Sequence, residues 1–275
     1  MLVQISPCIS AAGPGPTLAA PPDLLLAPER VHPALWRAHQ LGGQREASWA
    51  SGFGALDAEL PGQGWPGRAL TELLLPHPGV GELRLLAPVL AAVQRAGRGV
   101  MLFDPPARPC AWTLAALGLD WRQLVLVQGR AGDAQSPPRP VAGRAGAGGR
   151  GLDLLWALEQ ALASGHAGAV LAWLPQRLPA DALRRLQLAA QAHDGPAFLV
   201  REPQARQRPS ASPLRLWLQP AGPDELWLLP FKRRGPPAAQ PVRLALAPVL
   251  AAPARARALR TTAERAAPVA AGASV

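Results

Sequence analysis

The chain has 275 residues, 49% of them hydrophobic, and can bury one sizeable core. Its two cysteines, Cys8 and Cys110, exclude a disulfide framework or a thiolate metal site and fit a reducing compartment; the absence of any run of about 18 apolar residues excludes a membrane-spanning helix. The net charge of +10 is uneven, with twelve basic and four acidic side chains over 201–275, so only that end invites a nucleic-acid or acidic partner.

In chain order, residues 1–28 are rich in Pro, Ala and Gly, show little periodicity and are expected to be disordered. They carry no positive charge to begin a signal peptide, and the expected location is the cytoplasm. A short N-terminal helix and linker follow over 29–47, with Val31, Leu35, Trp36 and His39 near one face. So short a helix needs a surface to pack on, either its own domain or a neighbouring subunit, and Leu35 and Trp36 are the candidate subunit contacts. Residues 51–57 and 60–68 are dominated by turn glycines and bring the chain to a sheet.

The chain is organised around residues 69–94. Leu70-Thr71-Glu72-Leu73-Leu74-Leu75 reads as a strand and Pro76-His77-Pro78-Gly79-Val80-Gly81 as a turn. Leu83, Leu86, Leu90 and Val93 then recur with helical spacing around Pro88, and Gly97 is the stop. Strand, glycine turn and helix make up the layout of a phosphate-binding loop, G-x-x-x-x-G-K-[ST], in which backbone N–H groups cradle phosphates, the lysine reaches them and the hydroxyl holds Mg²⁺. Here Pro76 stands at the first glycine and Gly81 at the last, with Gly79 between them, Glu82 at the lysine and Leu83 at the hydroxyl position. Lys232 is the only lysine, so no shifted register restores the motif. A carboxylate at position 82 repels a triphosphate and complements the positive end of the helix dipole. No ATP binding at physiological concentrations, and no cofactor, is expected.

Downstream, 99–103 reads as a second strand ending at Asp104, which closes a right-handed βαβ unit. A short helix over 112–117 and a third strand over 124–127 come next. Ten of the 23 residues over 129–151 are Gly or Pro, which predicts a flexible insertion. A helix over 153–162, a fourth strand over 168–173, a helix opened by Pro179 and a fifth strand over 197–200 complete the alternation. Residues 214–218 and 225–229 read as an antiparallel hairpin, 242–246 as a last short strand and 248–275 as a disordered tail. The fold class is α/β: a mostly parallel sheet flanked by helices over 48–247, with a C-terminal hairpin and flexible tails.

Phe231-Lys232-Arg233-Arg234 is the candidate DNA- or partner-binding segment. Three adjacent cations beside an aromatic can track a nucleic-acid backbone, and a base stacked on Phe231 contributes about 1–3 kcal/mol. An acidic protein surface and a merely solvated strand end are the alternatives. Histidines at 32, 39, 77, 166 and 193 lack metal-ligand spacing, so no metal is expected. Trp112, Trp156, Trp173, Trp217 and Trp227 sit within strand and helix patterns and read as core, whereas Trp65, in a glycine-rich loop, reads as exposed.

Ser51-Gly52-Phe53-Gly54-Ala55-Leu56-Asp57 resembles the Ser-Thr-Gly-x-x-x-Leu-Asp segment of the RecA-like recombinase core. Gly62-Gln63-Gly64-Trp65-Pro66-Gly67-Arg68 is similar to its Gly-Gly-Leu-Pro-x-Gly-Arg turn, and with Glu72 the resemblance covers residues 48–200. Within that class the degenerate turn, His32-Pro33-Ala34-Leu35-Trp36-Arg37 and Phe231-Lys232-Arg233-Arg234-Gly235 most closely resemble the ImuA family, RecA-like accessory proteins of SOS-induced, error-prone translesion DNA synthesis grouped with SulA. The resemblance implies two partners: ImuB, a Y-family polymerase homologue without catalytic residues, and an error-prone polymerase alpha subunit. RecA and single-stranded DNA are further candidate partners, and recruitment to the nucleoid on DNA damage is the expected behaviour. It also implies two more lost catalytic positions. Pro106, in Asp104-Pro105-Pro106, stands where a water-activating Glu belongs, and Trp173 stands where the fourth strand would end in a Mg²⁺-linked Asp. A chain without these electrostatic parts of phosphoryl transfer is expected to be a non-catalytic adaptor. A SulA-type division inhibitor binding FtsZ is the alternative, and a DNA-dependent ATPase the third.

Overall fold

Short apolar runs bounded by glycine or proline are what strands buried on both faces require, and they form the sheet here. The structure is a computed structural model and describes residues 48–129, 149–174, 178–179, 181–235, 240–249, 251 and 253–257, all within one compact unit, 45–275. Two short strands, β1 (Ser48–Trp49) and β2 (Trp65–Pro66), pair antiparallel around helix α1 (Gly54–Asp57). The turn strand β3 (Leu70–Leu74) leads through the glycine turn to α2 (Glu82–Arg95). Then come β4 (Val100–Phe103), α3 (Ala111–Ala116) and β5 (Leu124–Val127). The remaining elements are α4 (Gly149–Ser164), β6 (Ala169–Trp173), α5 (Ala182–Ala190), β7 (Ala197–Arg201), β8 (Leu214–Gly222), β9 (Glu225–Lys232) and β10 (Val242–Ala245).

The main sheet has eight strands in the order β10-β9-β8-β3-β7-β6-β4-β5. The run from β8 to β5 is parallel, and β9 is antiparallel to both β8 and β10. Alternate residues face opposite layers. Leu73, Val100, Leu102, Leu171 and Phe198 pack with α2 and Leu114 of α3 on one side. Leu70, Phe103, Val170 and Leu199 pack with α4 and α5 on the other. The unit that joins β3 to β4 therefore skips two positions, because β7 and β6 lie between them. β7 and β8 flank β3 on either side, so residues 202–213 cross over β3.

Several expectations need correction. Trp65 is fully buried, set edge-on against Phe198 at 5.2 Å, because the β1–β2 pair folds the glycine-rich loop beneath the sheet. Gly52 belongs to the same packing: its φ of +86° is one that a side chain resists, and a Cβ there would come within 2.5 Å of Pro88. Trp112 and Trp156 are instead 87% and 61% exposed, and Trp227 is exposed as well. Apolar spacing on a six-residue helix such as α3 does not select a face, and Leu114 is the residue it buries. Trp173 and Trp217 are half-buried. Strands β8 and β9 are longer than the predicted hairpin, and β8 also belongs to the parallel sheet. Residues 253–257, within the predicted tail, are helical, and Arg255 pairs with Asp224 at 2.5 Å. Residues 1–47, with Leu35 and Trp36, and 130–148 of the predicted insertion lie outside the described residues. Among the described residues no helix is long and apolar enough to cross a membrane.

Candidate functional site

Parallel strands in the order β3-β7-β6-β4 bring the glycine turn, Arg201, Trp173 and Asp104 to one edge of the sheet, the carboxyl edge where open α/β sheets place their ligands. The turn opens with exposed Pro76, His77, Pro78 and Gly79. Gly79 and Gly81 both have positive φ, +89° and +120°, which glycine alone adopts without cost, and this aims their N–H groups inward at the start of α2. Glu82 is the first residue of α2 and is only 3% exposed. Its carboxylate turns back into the turn. It accepts hydrogen bonds from Gly79 N–H at 2.8 and 3.0 Å and from Gly81 N–H at 3.2 Å. The amide nest thus holds a covalently attached anion in the place where a phosphate loop holds its ligand.

Two sequence positions read as separate losses meet here. Trp173, at the end of β6, reaches across the end of β7 and its Nε1–H donates to Glu82 Oε1 at 3.4 Å. Leu83, at the hydroxyl position in the first turn of α2, is half-buried and packs against the core. Asp104 and Pro106 stay exposed after β4, and Asp104 has an unusual φ of +48°. Arg84, one residue further along α2, ties down the C-terminal side. It donates to Pro223 O and Asp224 Oδ1 at 2.7 Å, Ala247 O at 3.0 Å and Leu246 O at 3.3 Å. Leu246 is thereby pressed on the turn: a Cβ on Gly81 would meet its Cδ1 at 2.8 Å. No arrangement of three or more His, Cys, Asp or Glu suited to a metal ion occurs among the described residues.

A second charged cluster lies where β3 meets β8. Glu72, fully buried, stands opposite Arg215 in register and accepts from its Nε at 3.2 Å; Arg201 Nη1 lies 3.6 Å from the same carboxylate oxygen. Ser210 Oγ donates to the other oxygen. Arg215 also donates to Ala205 O at 2.6 Å and Arg208 O at 3.2 Å, which fastens the 202–213 crossover over Glu72. Burial pulls the Arg201 guanidinium below its ordinary pKa, against the opposing field of Glu72.

The candidate segment at the end of β9 borders this cluster. Phe231 is half-buried, with the guanidinium carbons of Arg215 and Arg206 at 5.0 and 5.3 Å from its ring; Arg206 also lies 4.4 Å over Trp217. Lys232 is exposed, its Nζ donating to Ser210 O at 2.7 Å, and burial and Arg215 lower its pKa. Arg233 pairs with Glu59 at 2.8 Å, and Arg234 is exposed. The four residues therefore do not present one uniform cationic row. Arg206 and Trp217 join Phe231 and Lys232 on one face, while Arg233 turns towards Glu59. Sequence reading missed Arg206 because an arginine in an arginine-rich chain is no signal. It missed Arg84 because the carbonyls that Arg84 holds lie some 140 to 160 residues away. No protein-family model matches the chain, and no curated protein matches its sequence.

Proposed function

We propose that the chain is a non-catalytic, RecA-like accessory protein of error-prone translesion DNA synthesis that works by binding other proteins. The observation that carries this reading is the Glu82 carboxylate in the amide nest of the glycine turn, with half-buried, apolar Leu83 where a metal-holding hydroxyl would be needed. A triphosphate entering there meets a fixed negative charge, no lysine and no metal hydroxyl, so phosphoryl transfer has none of its usual electrostatic support. The sheet order is compatible with a RecA-like core, which adds to the likeness of residues 51–57 and 62–68 to the recombinase segments. The proposed partners are ImuB and an error-prone polymerase alpha subunit, with RecA as a further one, in the cytoplasm and at damaged nucleoids.

Single-stranded DNA is a proposed weak ligand of the face formed by Phe231, Lys232, Trp217 and Arg206, with sequence-independent and salt-sensitive affinity. The test of the adaptor reading is affinity capture of the full chain from DNA-damaged cells followed by direct binding to purified partners. Recovery of ImuB and the polymerase subunit, with no phosphate release from ATP in the presence of single-stranded DNA, is expected. Turnover above background, or FtsZ recovered in place of the polymerase proteins, rejects it.

A further inference from the structure

The glycine turn keeps a conformation that ordinarily needs a ligand to hold it. Its inward-pointing N–H groups lie at a helix start, where an unpaired cluster of donors repels itself and attracts an anion. In this chain both positive-φ glycines are satisfied from within, and the satisfying group is itself held from a second strand. We propose that Glu82 is a built-in substitute for a bound phosphate, ligated by Gly79 N–H, Gly81 N–H and Trp173 Nε1–H, which fixes the turn in one state without any nucleotide.

Four features support this. The carboxylate is buried to 3% exposure beside an exposed turn, so it has not been left outside as an ordinary first-turn acid. Both of its oxygens accept from Gly79 N–H, at 2.8 and 3.0 Å, as two oxygens of a phosphate can from one amide. The indole N–H comes from β6, two strands away from β3, and links the turn to the next-but-one strand end as a shared ligand would. The Leu246 side chain against Gly81, positioned by Arg84, covers the same turn from the C-terminal side. In a chain built this way the turn does not open and close with nucleotide. Whatever surface it supports is permanently in its occupied form.

The test is hydrogen exchange of the Gly79 and Gly81 amides in the full chain and in E82A, each with and without millimolar inorganic pyrophosphate. The E82A amides are expected to exchange about tenfold or more faster than those of the unaltered chain. Pyrophosphate is expected to slow them again in E82A and to leave the unaltered chain unchanged. W173F, which keeps an aromatic ring and loses the indole donor, should speed exchange by a smaller factor. Should E82A fail to fold, as judged by circular dichroism, E82Q keeps the volume and one acceptor oxygen, and the same readings apply with an intermediate acceleration. Equal exchange in altered and unaltered chains, no slowing by pyrophosphate in the altered chain, or slowing in the unaltered chain each overturns the inference.

Discussion

Glu72 and Glu82 are both buried, ten residues apart, on either side of the glycine turn, yet the chain neutralises them in opposite ways. Glu82 meets neutral donors, two backbone N–H groups and an indole. Glu72 meets two guanidiniums, those of Arg215 and Arg201, with a hydroxyl added. The difference lies in what removal leaves behind. Without Glu82 the donors are uncharged and can be satisfied by water or a passing anion. Without Glu72 two buried cations face each other under the 202–213 crossover. The first glutamate is a plug and the second a structural tie.

Mutating Glu72 should break the contrast most visibly. Glu72→Gln leaves Arg215 without its carboxylate and Arg201 with only the more distant Glu202, at 3.9 Å, and is expected to cost about 3–5 kcal/mol of unfolding free energy in urea titrations. A loss no larger than that of Glu82→Gln would put the two sites on the same footing. His193 sharpens the same point from the cation side. It is buried, and burial, aided by Arg98, pushes its pKa down to about 4. An unfolded chain takes up this proton near pH 6.5, the folded one only near 4. The associated stability is therefore complete above about pH 6.5 and is lost as pH falls through 4, amounting to roughly 3 kcal/mol. In His193→Gln that part of the acid sensitivity should vanish from pH-dependent melting.

Smaller effects belong to the turn. Glu82→Ala is expected to cost about 1–3 kcal/mol, because the amides it leaves are reachable by water, and Trp173→Phe about 1 kcal/mol or less. Both are read from chemical denaturation. A Trp173→Phe effect as large as that of Glu82→Ala would mean that the indole, not the amide nest, holds the carboxylate. At the cationic face, replacing Lys232, Arg233 and Arg234 together with Ala should weaken single-stranded DNA binding and flatten its salt dependence. Of the three, Arg233 should contribute least, since Glu59 already neutralises it. Unchanged affinity both in the triple mutant and in Arg206→Ala removes that face as a DNA contact.

Much of this architecture was legible because strand and helix periods are local. The apolar run 70–75, the glycine turn and the helix after it follow from spacing, and so do the strands expected at 99–103, 124–127, 168–173 and 197–200, each within one residue of the observed bounds. Strand order was not legible. That β7 and β6 lie between β3 and β4 depends on how crossovers pack, which no local pattern encodes. The tryptophans failed for a related reason. The glycine-rich neighbours of Trp65 predict a surface loop, but the β1–β2 pair tucks it under Phe198. At the site, Glu82 and Trp173 were each visible as a departure from a phosphate-loop pattern. Their hydrogen bond, 91 positions apart in sequence, was not.

Because the nest already contains its anion, calorimetric titration of the full chain with Mg²⁺-ATP is expected to give no saturable heat up to physiological nucleotide concentrations. A binding isotherm with a micromolar dissociation constant would contradict it, since a triphosphate would then have displaced Glu82 from Gly79 and Gly81.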